Sequence, residues 1–67
     1  MTVANLTNAN LTNTNLTDAN LIAANLTHAN LAESILTNAN LANATYNAST
    51  LFPPGFDPVS EGMLLVP

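Results

Sequence analysis

The sequence predicts an all-β solenoid, a chain wound into a coil of short extended sides. Three observations predict it. Leu stands at 6, 11, 16, 21, 26, 31, 36 and 41, and Tyr46 and Leu51 continue the series at a period of five. Two residues before each of these sits a small side chain: Ala4, Ala9, Thr14, Ala19, Ala24, Ala29, Ser34, Ala39, Ala44 and Ser49. The composition is that of a repeat, with Asn, Ala, Leu and Thr making 43 of the 67 residues and no Lys, Arg, Cys or Trp present.

The unit reads Ala-Asn-Leu-Thr-x, ten times from Ala4 to about Pro53, with Asn at 5, 10, 15, 20, 25, 30 and 40. On an α-helix five residues turn roughly 500°, so successive Leu residues step about 140° round the axis and form no stripe. On one long strand a step of five sends Leu to alternate faces. Within a unit, however, the small residue and Leu are two apart and share one face of an extended segment. The chain must then turn before the next unit. Ala and Leu point inward, while Asn, Thr and the variable residue lie outside, with Asn expected at the corners. Neighbouring coils are expected about 4.8 Å apart, joined by backbone hydrogen bonds.

These residues resemble the pentapeptide-repeat family, whose unit is a small residue, Asn or Asp, a central Leu or Phe, and two variable positions. The resemblance covers about fifty of the 67 residues. It implies a right-handed quadrilateral parallel β-helix with one unit per side and twenty residues per coil. The period alone gives five; the number of sides comes from the resemblance. Ten units then make about two and a half coils, roughly 12 Å tall. The tail, with Tyr46-Asn47, Phe52-Pro53, Gly55-Phe56-Asp57-Pro58 and Gly62-Met63, is similar to the closing segment of many cyanobacterial members.

The expected division is 1–52 for the repeat array and 53–67 for a C-terminal cap. Pro53-Pro54-Gly55 breaks the pattern. All three aromatics, Tyr46, Phe52 and Phe56, lie here and are placed to cover the open end. Asp57-Pro58 followed by Gly62 reads as one capped helical turn. Met63-Leu64-Leu65-Val66 is apolar and is expected to fold back onto the coil or onto a second subunit. At the other end Met1 falls in frame five before Leu6, which points to a fragment of a longer array or to a first coil that meets another chain.

The composition narrows the function classes. The formal charges are Asp18, Glu33, Asp57 and Glu61, a net −4. With no basic side chain, nucleic-acid binding is not expected. With no Cys, disulfides, thiolate nucleophiles and Cys-based zinc sites are excluded. No apolar stretch is long enough to span a bilayer as a helix. No signal-peptide pattern opens the sequence, so a cytoplasmic location is expected. The sequons at Asn5, Asn10, Asn15, Asn25, Asn43 and Asn47 follow from the repeat and carry no glycosylation expectation.

His28 is the lone histidine. On a twenty-residue coil its column mates are Asn8 and Ala48, with Glu33 one side further on and Asp18 across the coil. No metal set and no Ser-His-Asp arrangement can gather. The expectation is no enzyme, no cofactor, no metal and no small-molecule substrate. Ile22 and Ile35 interrupt the polar outside, and Ile35 replaces Asn. Together with Met1, Val3, Leu64 and Leu65 they form the candidate interface of a structural or protein-interaction module, joined to a protein partner or to its own copies through coil ends. Two other readings are weaker. Some longer family members imitate duplex DNA and bind a type II topoisomerase, yet a 12 Å mimic needs about seven charges along its length and the repeats here carry Asp18 and Glu33 alone. A Thr array for ice or surface binding is limited to columns such as Thr7 and Thr27, or Thr17 and Thr37.

Overall fold

A computed structural model describes residues 4–67. Its local rule is clearest in the unit Ala24–His28, where all five N–H groups are satisfied, as a folded backbone requires, the Ala24 N–H by the Leu21 carbonyl at 3.0 Å and the His28 N–H by the Asn47 Oδ1 at 3.1 Å. There the Thr45 N–H of a later unit donates to the Ala24 carbonyl at 2.9 Å, and the Leu26 N–H donates to the Thr45 carbonyl at 2.9 Å. The Asn25 N–H points the other way, to the Ala4 carbonyl at 2.9 Å. The Thr27 N–H goes to the Asn25 Oδ1 at 3.1 Å. The Ala29 N–H closes a turn on the Leu26 carbonyl at 3.0 Å.

That turn explains the corner. Its third residue has φ near +60° in each of the first eight pentads: Asn8, Asn13, Asp18, Ala23, His28, Glu33, Asn38 and Asn43. An i to i+3 bond with positive φ at the third residue is the type II pattern. The corner therefore belongs to the variable position. The expectation that the regular Asn of the motif occupies it is corrected. Asn5, Asn10, Asn15, Asn25 and Asn30 stand on the flat sides and use Oδ1 to accept the N–H two residues on. A side chain of that length reaches its own backbone there, which the neighbouring coil does not.

Register follows from parallel bridges between residues twenty apart: Asn5 with Asn25, Asn10 with Asn30, Asn15 with Ile35, Asn20 with Asn40 and Asn25 with Thr45. Four units therefore separate stacked positions, and the chain forms a β-helix of short parallel ladders, with no α-helix among the described residues. The small and Leu positions face inward. Leu26, Leu31 and Leu41 are fully buried, with Ala24, Ala29, Ala39 and Ala44 beside them. Leu6, Leu11 and Leu16 of the first circuit, residues 4–23, are only partly buried against the same core.

The period of five slips once. Asn30 pairs with Leu51, twenty-one residues on. Leu51 is 52% exposed, Thr50 is buried and Ser49 is exposed. The expected inward pair of Ser49 and Leu51 is replaced by Thr50 and Phe52. The cause is a buried polar knot at the preceding corner. The Asn47 N–H donates to the Thr50 Oγ1 at 3.1 Å, and the Thr50 hydroxyl reaches the Leu26 carbonyl at 2.9 Å. One extra residue is needed to bring Thr50 there. The slip turns Phe52 toward Tyr46 and Phe56, with ring centroids 5.4 and 5.0 Å apart, edge-on and stacked respectively.

The tail adds to the ladder. β1 (Thr45–Tyr46) pairs in parallel with β2 (Leu64–Leu65), Thr45 opposite Leu64 and Tyr46 opposite Leu65. Met63 takes the small inward position and is buried. Between them, residues 58–62 form the single turn expected there, closed on Gly62: the Gly62 N–H donates to the Val59 carbonyl and the Met63 N–H to the Pro58 carbonyl, both at 3.1 Å. Asp57 accepts the Val59 N–H at 3.1 Å, as a cap would. Gly62, at φ +81°, reverses the chain after that turn.

Candidate functional site

The titratable side chains of the repeats, Asp18, His28 and Glu33, all occupy left-handed corners. The geometry that places one on each corner also keeps them apart, on different sides of the coil. Among the described residues no three His, Cys, Asp or Glu side chains gather as a metal site. Ser34 is buried, and its hydroxyl donates to the Leu31 carbonyl at 2.8 Å, so it has no base beside it. No helix of the described residues is long and apolar enough to cross a membrane.

His28 has a partner the sequence does not reveal. Its N–H donates to the Asn47 Oδ1 at 3.1 Å, and so does the Ser49 N–H, also at 3.1 Å. The Thr50 hydroxyl lies 3.2 Å from the same oxygen. These donors orient the carboxamide, so its NH₂ faces the His28 Nε2 at 3.1 Å and the ring nitrogen accepts. The offset of nineteen is the one other corners show, as Asn8 to the Thr27 carbonyl and Asp18 to the Thr37 carbonyl, and here the Asn47 side chain takes the place of the backbone carbonyl. This cluster holds the backbone; it offers no nucleophile and no open oxyanion cradle.

The Thr columns are similarly engaged. The hydroxyls of Thr12, Thr17 and Thr27 donate to their own Asn Oδ1 at 2.7, 2.6 and 2.8 Å. Their oxygens are tied into the surface lattice of the chain itself.

The exposed apolar side chains are the remaining candidates. Ile22 is 38% exposed, Ile35 49%, Leu64 50% and Leu65 67%. Met1 and Val3 lie outside the described residues. Leu51 joins the set, and sequence reasoning missed it because the period puts it inside. A signal was available: Pro53 follows Phe52, and proline has no N–H to be accepted by an Asn side chain two residues earlier. Leu in that slot is compatible with Pro53, and the Phe52 between them is then the inward residue. The columns show a trend: Asn5, Asn25, Thr45, Leu64 on one side; Asn10, Asn30, Leu51 on the next; Asn15, Ile35 on a third. On all three the outward polar slot becomes apolar toward the later circuits. Ile35 also lies beside Pro53, Pro54 and Phe56 of the tail across a shallow depression.

Comparison with known proteins agrees with this geometry. The family model described as pentapeptide repeats matches residues 4–43 in eight copies. No curated protein matches the chain. A crystal structure of a pentapeptide repeat protein from Nostoc Pcc 7120 is similar, with a TM-score of 0.76 at 36% sequence identity, over 98% of this chain and 63% of that one. This chain thus spans less than two thirds of the length of that relative. The inward small residue and Leu, the Asn at the bridge and the positive-φ corner recur through the matched region, and on that match the chain belongs to the pentapeptide repeat family.

Proposed function

We propose that the chain is a non-enzymatic scaffold module that contacts a protein, or copies of itself, through the end carrying Leu51, Leu64 and Leu65. In this reading residues 1–52 are the repeat array and 53–67 its cap, wound as a right-handed four-sided coil of about two and a half turns. The observation that carries it is the column trend. Among the described residues the Asn slot is polar from Asn5 to Thr45 except at Ile35, and it is apolar where Leu51 and Leu64 stand at the end, each about half exposed. Single exposed apolar residues are ordinary. A set of them gathered at one end, Leu51 and Leu64 in slots the repeat mostly fills with Asn and Leu65 in the Leu slot above Tyr46, marks a surface that gains from being covered.

The test is sedimentation of the 67-residue chain beside a Leu51→Asn, Leu64→Asn, Leu65→Asn variant. The first two substitutions restore polar character to Asn slots, the third makes the exposed Leu65 above Tyr46 polar, and the buried residues are left alone. Concentration-dependent association of the parent chain is expected, with at least a tenfold weaker association constant in the variant at unchanged circular dichroism. Equal behaviour of the two would remove this end as the contact surface.

A further inference from the structure

We propose that a second copy of this chain stacks on the Leu51/Leu64 end in the same direction, presenting the edge of residues 4–23. This rests on the reading of that end as a contact surface and adds its occupant and orientation.

The backbone carries the argument. Asn25 directs both its groups at the preceding circuit: its N–H to the Ala4 carbonyl and its carbonyl to the Leu6 N–H. Leu51 does the same toward Ala29 and Leu31, at 3.0 and 2.8 Å. In an extended segment alternate residues point their groups to opposite edges. The Thr50 carbonyl and the Phe52 N–H therefore face outward from that end. Asn5, in the same slot as Asn25, presents its N–H and carbonyl at the opposite edge. Setting Asn5 of a second copy over Leu51 recreates the Asn25 arrangement with Thr50 and Phe52 in the roles of Ala4 and Leu6.

Shape fixes the rotation. Each end of a coil carries a step one strand high. At this end the step is an open notch lined by Asn47, Ala48, Ser49, Leu65 and Val66. Steps mesh in one setting, with the Asn5 side of the second copy on the Leu51 side and its Asn20 side on the Leu64 side. Charge selects this over a tail-to-tail pair. The tail carries Asp57 and Glu61 and residues 4–23 carry Asp18 alone, so stacking in one direction brings three carboxylates to the two ends that meet. Two tails together would set four carboxylates at one interface. Burial supplies the apolar gain: Leu6, Leu11 and Leu16 are partly covered where Leu26 and Leu31, in the same slot, are fully buried. The Tyr46, Phe52 and Phe56 rings provide the layer they lack.

With Cα extents of 25 × 23 × 21 Å, one end offers at most about 500 Å², below the roughly 800 Å² per partner of a standard stable interface. Association is therefore weak. Because the surfaces differ, it is open-ended. Sedimentation equilibrium of the 67-residue chain from about 10 μM to about 1 mM is expected to give a mass that rises past two chains without a plateau. The chain has no Cys, so directional trapping is clean. Stacked positions lie about 4.8 Å apart, within disulfide range. Asn5→Cys mixed with Leu51→Cys is expected to give at least tenfold more heterodisulfide than either variant gives homodimer. A plateau at two chains, or a dominant Leu51→Cys homodimer, would overturn the orientation while leaving the contact surface. A monomer throughout the range would overturn self-association altogether. Circular dichroism checks each Cys variant, and if either fails to fold the mass series of the parent chain decides.

Discussion

At the residue scale the corner is where sequence and backbone disagree most usefully. Eight corners need φ near +60°, a region Asn and Asp tolerate and other side chains enter at a cost of about 1 kcal/mol. Four are Asn and one is Asp; Ala23, His28 and Glu33 are not. Ala23→Asn and Glu33→Asn should each stabilise the fold by about 0.5–1 kcal/mol, and Asn38→Ala should destabilise it by a similar amount. Thermal unfolding checks all three, at roughly 4–8 °C per kcal/mol for a domain of this size. The flat-side Asn has a separate role. Asn30 Oδ1 accepts the Ala32 N–H at 3.0 Å. Removing it by Asn30→Ala should cost about 0.5–1.5 kcal/mol. Ile35→Asn supplies the missing acceptor to the Thr37 N–H and should gain a comparable amount. A loss on Ile35→Asn would instead mean that the isoleucine packing against the tail outweighs the hydrogen bond.

At the element scale, a unit is as stable as the layers on either side of it. Leu26 has a circuit before and after it, and Leu11 has only one, so the same inward slot differs in burial. Leu26→Ala should cost about 2–5 kcal/mol, which is comparable to the whole stability of roughly 3–10 kcal/mol expected for 67 residues. Leu11→Ala should cost distinctly less. Urea titration of both ranks them, and equal losses would contradict the layer argument. The slipped unit has its own dependence. Thr50→Val keeps the shape but strands the Asn47 N–H and leaves the Leu26 carbonyl with the Ala29 N–H as its remaining donor. About 1–3 kcal/mol should be lost. Because the extra residue of that unit is what turns Phe52 inward, near-ultraviolet dichroism of the aromatic cluster should fall as well.

At the scale of the whole molecule, the electrostatics are sparse and the ends dominate. The repeat array carries Asp18, Glu33 and one His, far short of the charge density of a duplex at one per about 1.7 Å. Type II topoisomerase supercoiling should therefore be unaffected by micromolar amounts of the chain. Inhibition there would show that charge density is not what such recognition requires. The interior is short enough that its two faces form a large share of its surface. Apolar character collects at one of them, in Leu51, Leu64 and Leu65.

The sequence by itself determined the unit and its inward pair. Each follows from period and composition: Leu every fifth residue with a small residue two before it can share a face only in a turning, extended chain. It left Met63–Val66 to fold onto the coil or onto a second subunit. Tertiary structure alone decided three things. It put the variable residue at the left-handed corner, because the turn's third position and not the Asn slot needs positive φ. It shifted Leu51 outward and Phe52 inward, because Asn47 and Thr50 bond across nineteen and twenty-four residues to His28 and Leu26. And it made Leu64–Leu65 a further strand on Thr45–Tyr46, a pairing that no five-residue period encodes since the tail lies outside the repeat.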